Sequence, residues 1–155
     1  MMHHEIVLPG KTRSSFLAEG IDEYLQRLRH YARVDVKIVK TGKGQGSDRI
    51  LKEKEAALLL AHLAPKTMVV ALDARGVQYS STEFSRLLSR WEERGVKHLS
   101  FVIGGPLGLG KSVLHRAEHR ISLSKMTFTH DMARLLLLEQ LYRAYTIKAG
   151  EKYHK

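Results

Sequence analysis

An α/β fold, a mainly parallel sheet with helices on both faces, is what this sequence predicts, and three observations predict it. Short β-rich runs alternate with amphipathic helical stretches along the whole chain. Two of the runs, "TMVVALDA" (67–74) and "HLSFVIGG" (98–105), are apolar almost throughout, as parallel strands covered on both faces are. The 155 residues contain no repeat, low-complexity segment or linker, so one domain over 1–155 is expected, large enough to bury a core without staples.

Each element has its own signal. "HEIVLP" (4–9) reads as the first strand. "SSFLAEGIDEYLQRLRHY" (14–31) follows as a helix, with Phe16, Leu17, Ile21, Leu25 and Leu28 at helical spacing. "VDVKIVKT" (34–41) alternates with period two and predicts a strand with one wet face. A glycine-rich basic loop (42–46) leads to Ser47, a suitable cap for a helix over 47–63. After the third strand, Ser80 and Glu83 have capping-box spacing and Gly95 is a suitable stop, which predicts a helix over 80–95. Strand 98–105, a short helix (112–119) and a short strand (120–124) precede a long helix over about 130–148. That last helix is apolar around most of its circumference, so it calls for cover on two sides. A homodimer interface is the expected second cover; burial inside its own core is the competing reading.

Composition narrows the function. There are no cysteines, which excludes disulfides, thiolate metal sites and thiol nucleophiles. His115 and His119 have metal-ligand spacing but no third ligand is evident, so no metal is expected. No apolar run approaches a membrane span and the start has no signal-peptide pattern, so a cytoplasmic protein is expected. Twenty-six Lys and Arg against sixteen Asp and Glu leave +10, the footprint of a polyphosphate partner. Lys37, Lys40, Lys43, Arg49 and Lys52 could form the RNA-facing surface, although each also fits ordinary solvated charge.

One string points elsewhere. Gly105 to Ser112 spells G-x-x-x-x-G-K-S, the pattern of a loop that cradles nucleotide phosphates. Its context is wrong: it follows the fourth strand instead of the first, and only about nine residues separate it from the next strand. The alternative is that four glycines within seven residues (104–110) allow close backbone approach to another ligand at the carboxyl ends of the strands. "ALDARG", "IGGPLGLG" and "SLSKMTFTH" would then converge there, the third with mainly small hydroxyl and apolar groups suited to an adenine and a thioether.

On "FVIGGPLGL", "ISLSKMTFTHDMARLLLLEQLYRAYTI" and the terminal "GEKYHK", with weaker support from "IDEYLQRLRHY" and "ALDARG", the chain resembles the ribosomal RNA large subunit methyltransferase H family. These are small methyltransferases of the SPOUT class. The resemblance runs nearly end to end. It implies a SPOUT-type α/β fold with a C-terminal trefoil knot, a homodimer, and S-adenosyl-L-methionine as cofactor. The implied reaction is methylation at N3 of a pseudouridine in 23S ribosomal RNA, in the assembled ribosome. It also implies a cofactor pocket of Leu72, Gly104, Gly105, Gly108, Leu123, Ser124, Lys125, Met126, Thr127 and Phe128.

The imide nucleophile carries a proton, so a base or cation near it should help expose the anion. The resemblance places the tail at the substrate base, completing a site across the dimer, with Tyr153, His154 and Arg143 as catalytic candidates. Glu139 lies four residues before Arg143, so a helical ion pair is an equal reading of that arginine. Arg134, one turn after His130, is a candidate for RNA phosphate or for a carboxylate, and Lys155, Lys43 and Arg49 are further RNA candidates. Asp73 reads as a turn cap by default. Two rivals stand beside the methyltransferase: a nucleotide-binding enzyme using Gly105–Ser112, and a non-catalytic ribosome-binding module.

Overall fold

A computed structural model of the chain describes residues 2–42 and 44–154. Five strands and five helices alternate strictly: β1 (His3–Pro9), α1 (Ser15–Leu28), β2 (Arg33–Val39), α2 (Asp48–Ala61), β3 (Met68–Gln78), α3 (Ser81–Glu93), β4 (His98–Val102), α4 (Lys111–Arg116), β5 (His119–Ser122) and α5 (His130–Lys148). The sheet has the order β2-β1-β4-β3-β5, and every pairing is parallel. Parallel neighbours need crossovers, and the intervening helices supply them on both faces.

Side-chain alternation along the strands explains the two layers. Ile6, Leu8, Val70, Leu99 and Phe101 point into a large core with α1, α3 and α5. Val7, Val69, Ala71 and Val102 point the other way, into a smaller core closed by Ala56 and Leu59 of α2 and Val113 of α4. Strands buried on both faces must be apolar on both, which is why 67–74 shows no alternation. On the edge strand β2, Arg33 and Asp35 share an exposed face, matching the wet face read from its pattern, while Ile38 is exposed on the opposite face.

Capping behaves as the sequence predicts at two helices. The Ser80 hydroxyl accepts from the Glu83 amide and the Glu83 carboxylate accepts from the Ser80 amide, a complete capping box. The Ser47 hydroxyl accepts from the Ile50 amide at the start of α2. β3 extends well past the expected end at 74, to Gln78, because its register with β5 shifts between Leu72 and Val77. Gly76 permits that irregularity: a Cβ there would stand 2.6 Å from the Arg120 carbonyl oxygen.

α5 settles the competing readings of its apolar girth only in part. None of residues 130–147 is fully exposed in the single chain, because α1 and α3 flank the helix. A Cβ on Gly20 of α1 would stand 3.1 Å from a methyl of Leu135, so the two helices cross closely. Met132, Leu135, Leu136 and Tyr142 remain only half-buried.

Candidate functional site

The carboxyl ends of β3, β4 and β5 open into one cleft of about 630 Å³, where the three segments singled out by sequence do converge. Leu72 comes from β3, the glycine loop follows β4, and Leu123 to His130 joins β5 to α5. The walls are mainly apolar, including Leu72, Ile103, Leu109, Leu123 and the exposed Met126 and Phe128. No lysine or arginine lines the cleft among the described residues.

The glycine loop is shaped by direct backbone contact. A Cβ on Gly104 would stand 2.7 Å from the Gly108 carbonyl carbon and 3.0 Å from the Leu109 nitrogen, both backbone atoms, so no side chain fits. The Gly108 amide donates to the Gly105 carbonyl at 3.0 Å, and Gly108 takes φ of +83°, a turn that glycine adopts without strain. The loop thus presents backbone to the cleft from close range.

A phosphate would meet the wrong partners here. The amides a phosphate loop would aim at its ligand are already given to carboxylates of α2. Gly105 donates to Glu55 Oε1 at 3.1 Å, and Lys111 donates to Glu53 Oε1 at 2.7 Å. The bond from the Lys111 amide holds the Glu53 carboxyl below its ordinary range, so a charge occupies that position near neutral pH. Neither Lys111 nor Ser112 lines the cleft, and α4, the helix after the loop, has only six residues. The match to a nucleotide-cradling string is a coincidence of letters.

The tail folds back on α5. Arg143 donates from Nε to Glu139 Oε1 at 3.1 Å and pairs with it again through Nη2. The Tyr153 hydroxyl donates to the same oxygen at 3.1 Å and meets the Tyr24 hydroxyl at 3.1 Å. The Arg143 guanidinium lies 4.8 Å over the Tyr153 ring, and its Nη1 is 3.2 Å from His154 Nδ1. A guanidinium only donates, so that Nδ1 accepts, and in the neutral ring the proton sits on Nε2. Burial first, then the Tyr24 hydrogen bond and the charge of Glu139, push the Tyr153 phenol well up, so it stays protonated near neutral pH. The three catalytic candidates are brought together, around a Glu139 that also makes the helical ion pair. They do not line the cleft: Arg143 is 13 residues beyond His130, about 20 Å along the helix.

These features have relatives. The family model described as "Predicted SPOUT methyltransferase" matches residues 2–154. The chain belongs to the SPOUT methyltransferase family. It is 54% identical over 154 residues to the ribosomal RNA large subunit methyltransferase H of Desulfotalea psychrophila, covering 99% of this chain and 100% of that protein. The protein of the same name from Pelotomaculum thermopropionicum is 43% identical over 160 residues, with 99% of each chain covered. A solved probable methylase family protein from Haemophilus influenzae superposes with a TM-score of 0.56 at 13% identity, over 99% of this chain and 70% of that one, a likeness of fold.

Within this SPOUT chain the cofactor residues expected from sequence are nearly all at the cleft. Leu72, Gly104, Gly105, Gly108, Leu123, Ser124, Met126, Thr127 and Phe128 line it; Lys125 does not. Of the two partners expected for Arg134, the structure supplies the carboxylate: the side chain is 1% exposed, and donates to the Pro9 carbonyl at 3.2 Å and Thr12 Oγ1 at 3.1 Å. Its guanidinium also lies 3.5 Å from Asp131, whose other oxygen accepts from the Arg13 amide at 3.1 Å. Buried on that carboxylate, it ties the start of α5 to the β1–α1 turn. Arg49 is exposed on the first turn of α2, whereas Lys37 is held by the His62 carbonyl and Glu5. Lys43 and Lys155 lie outside the described residues. Asp73 accepts from the Arg75 amide at 3.4 Å, as a turn residue does. Glu53 and Glu55 escaped the sequence reading because their partners lie about fifty residues away, and no local pattern announces such a contact.

Proposed function

We propose that this protein transfers a methyl group from S-adenosyl-L-methionine to N3 of a pseudouridine in 23S ribosomal RNA of the assembled large subunit, acting in the cytoplasm as a homodimer of one-domain chains. The observation that carries the reading is the cleft itself, backbone-lined at Gly104–Gly108, apolar, and without a lysine or arginine for a triphosphate among the described residues. The curated relatives named for ribosomal RNA methylation match over their whole length.

The residues fit the cofactor. Gly104 lets the loop close on its own backbone at Gly108 and Leu109, and Leu72, Leu123, Met126 and Phe128 offer apolar contact to the ring and thioether. S-adenosyl-L-methionine supplies, when bound, a methyl on a positively charged sulfur whose departure leaves a neutral thioether. No strong acid is therefore required of the protein. Its task is to hold the ring nitrogen in line and to favour the imide anion. Arg143, with Tyr153 and His154 packed on it, supplies the positive charge and the hydrogen-bond donors at the substrate end. Two copies packed through the half-buried Met132, Leu135, Leu136 and Tyr142 bring the tail of one beside the cleft of the other. A C-terminal trefoil knot, formed where the chain after β5 passes the glycine loop, belongs to the same reading. The exposed Arg49 and Lys40, with Lys43 and Lys155, add salt-dependent affinity for RNA phosphates.

The test pairs two titrations with one assay. Calorimetry should show binding of S-adenosyl-L-methionine and none of ATP with magnesium, and labelled methyl should pass to intact large subunits. Binding of ATP alone overturns the cofactor assignment, and cofactor binding without transfer to ribosomes leaves only a ribosome-binding module.

A further inference from the structure

A second cavity, of about 350 Å³, lies between α3 and α5 and shares Ile121, Leu123 and Phe128 with the cofactor cleft. Its floor is deep: Phe84, Phe101 and Leu137 are at most 6% exposed. Tyr79 and Phe128 add aromatic walls, and the polar groups are neutral, namely Ser80, Ser81, Ser122 and Gln140. No charged side chain lines it among the described residues. An anion or a cation would lose its hydration there and gain no partner.

We propose that this cavity is the acceptor-base subsite, taking a neutral, planar pyrimidine ring turned out of the RNA; the proposal rests on the methyltransferase reading above. Enzymes that modify a base take it out of the stack into a pocket of apolar and aromatic walls with a few hydrogen-bonding groups. The volume falls within the usual range for small-ligand sites. Its position is the stronger argument. On one side it adjoins the cleft, sharing Phe128 and Leu123 as lining. On the other it joins the tail cluster: Ser81 Oγ donates to Gln140 Oε1 at 2.6 Å, Gln140 Nε2 donates to Glu139 Oε2 at 2.8 Å, and Glu139 Oε1 accepts from Arg143 and Tyr153. A ring seated there has the cofactor cleft on one flank and, through Gln140, the Glu139–Arg143 pair on the other.

Gln140 is the specificity-determining residue of the subsite. A uracil ring joined to its sugar through carbon carries an extra ring N–H that uridine lacks. Gln140 Oε1, with a lone pair beyond the one Ser81 uses, is the acceptor such a group requires. A site built to pair a polar group rejects the analogue that lacks it, because its own group is left unpaired.

The experiment uses the full chain with Ser81→Leu, which fills the cavity, and Gln140→Leu, which removes its amide. Neither residue lines the cofactor cleft. Affinity for S-adenosyl-L-methionine and the melting temperature should stay near wild type, while kcat/KM for methyl transfer to ribosomes falls by at least about tenfold. In parallel, pseudouridine nucleoside added to wild type loaded with S-adenosylhomocysteine should shift the amide resonances of Ser81, Phe84 and Gln140, and uridine should shift them less. Variants that methylate like an active wild type, or that lose cofactor affinity along with transfer, overturn the subsite. So does a nucleoside that shifts only residues outside the cavity, and equal shifts by uridine remove the role of Gln140. If wild type itself transfers no methyl, the failure belongs to the reaction assigned above.

Discussion

Replacing Gly104 with alanine tests the cleft at its narrowest point. The added Cβ would stand 2.7 Å from the Gly108 carbonyl carbon and 2.9 Å from its oxygen. Carbon atoms rest at about 3.5 Å or more, so the strand end and the loop must part by roughly 0.8 Å. Both sides are backbone, and no flexible side chain can absorb the shift. Overpacking of this kind costs about 1–3 kcal/mol. The free chain can relax by letting Gly105–Leu109 move outward, but a ligand that needs the original wall must push it back. Cofactor affinity should therefore fall by about 5- to 150-fold, at about 1.4 kcal/mol per factor of ten. Calorimetry with S-adenosyl-L-methionine reads this directly. Gly42→Ala serves as control, since nothing lies within 4 Å of a Cβ there. A Gly104→Ala protein that binds within twofold of wild type would show that the loop does not form the cofactor wall.

Other expectations follow from the same geometry. Removing Tyr153–Lys155 should abolish methyl transfer yet leave cofactor affinity nearly unchanged, because Tyr153 and His154 stand on α5 away from the cleft; a large loss of affinity would make the tail structural. Arg134→Ala should destabilise the fold by about 3–5 kcal/mol, since it leaves Asp131 buried without its cation. It should leave the salt dependence of RNA binding alone, whereas Arg49→Ala should lower the log–log salt slope by about 1. His4 is fully buried against Tyr145, and desolvation first, then His3, lowers its pKa to about 3. The unfolded chain takes up that proton near pH 6.5 and the folded one does not until about 3. Stability should therefore be complete above pH 6.5 and fall by up to about 1.4 kcal/mol per pH unit below it. Denaturant unfolding at pH 7, 6 and 5 checks this, and His4→Gln should flatten the slope.

The architecture could be read from sequence because it rests on local signals. The unbroken apolar run at 67–74 and the Ser80–Glu83 spacing each depend on a few neighbouring residues and a fixed backbone period. The long final helix, expected over about 130–148, is legible for the same reason. What depended on distant partners could not be read. The extra length of β3 beyond residue 74 is set by its close passage against Arg120, and the hold of Glu53 and Glu55 on the glycine loop joins segments 50 and 58 residues apart. Arg134 shows the limit most clearly. Its spacing beside His130 suited a surface contact as well as a buried one, and only the fold of the β1–α1 turn around Thr12 decides between them. The cofactor segments were legible through their glycines and the family resemblance, whereas Ser81 and Gln140 carry no motif and meet only across two helices.

The two faces of the sheet are unequally upholstered. One carries Phe84, Trp91, Phe101 and Tyr145, the other little beyond valine, alanine and a single buried leucine, Leu59. Opening free energy follows such apolar mass, so amide protons of α2 and α4 should exchange sooner than those of α3 and α5. The glycine loop is moored by Glu53 and Glu55 to the lighter side. The loop side should thus open more readily than the heavier wall, which bears the long terminal helix.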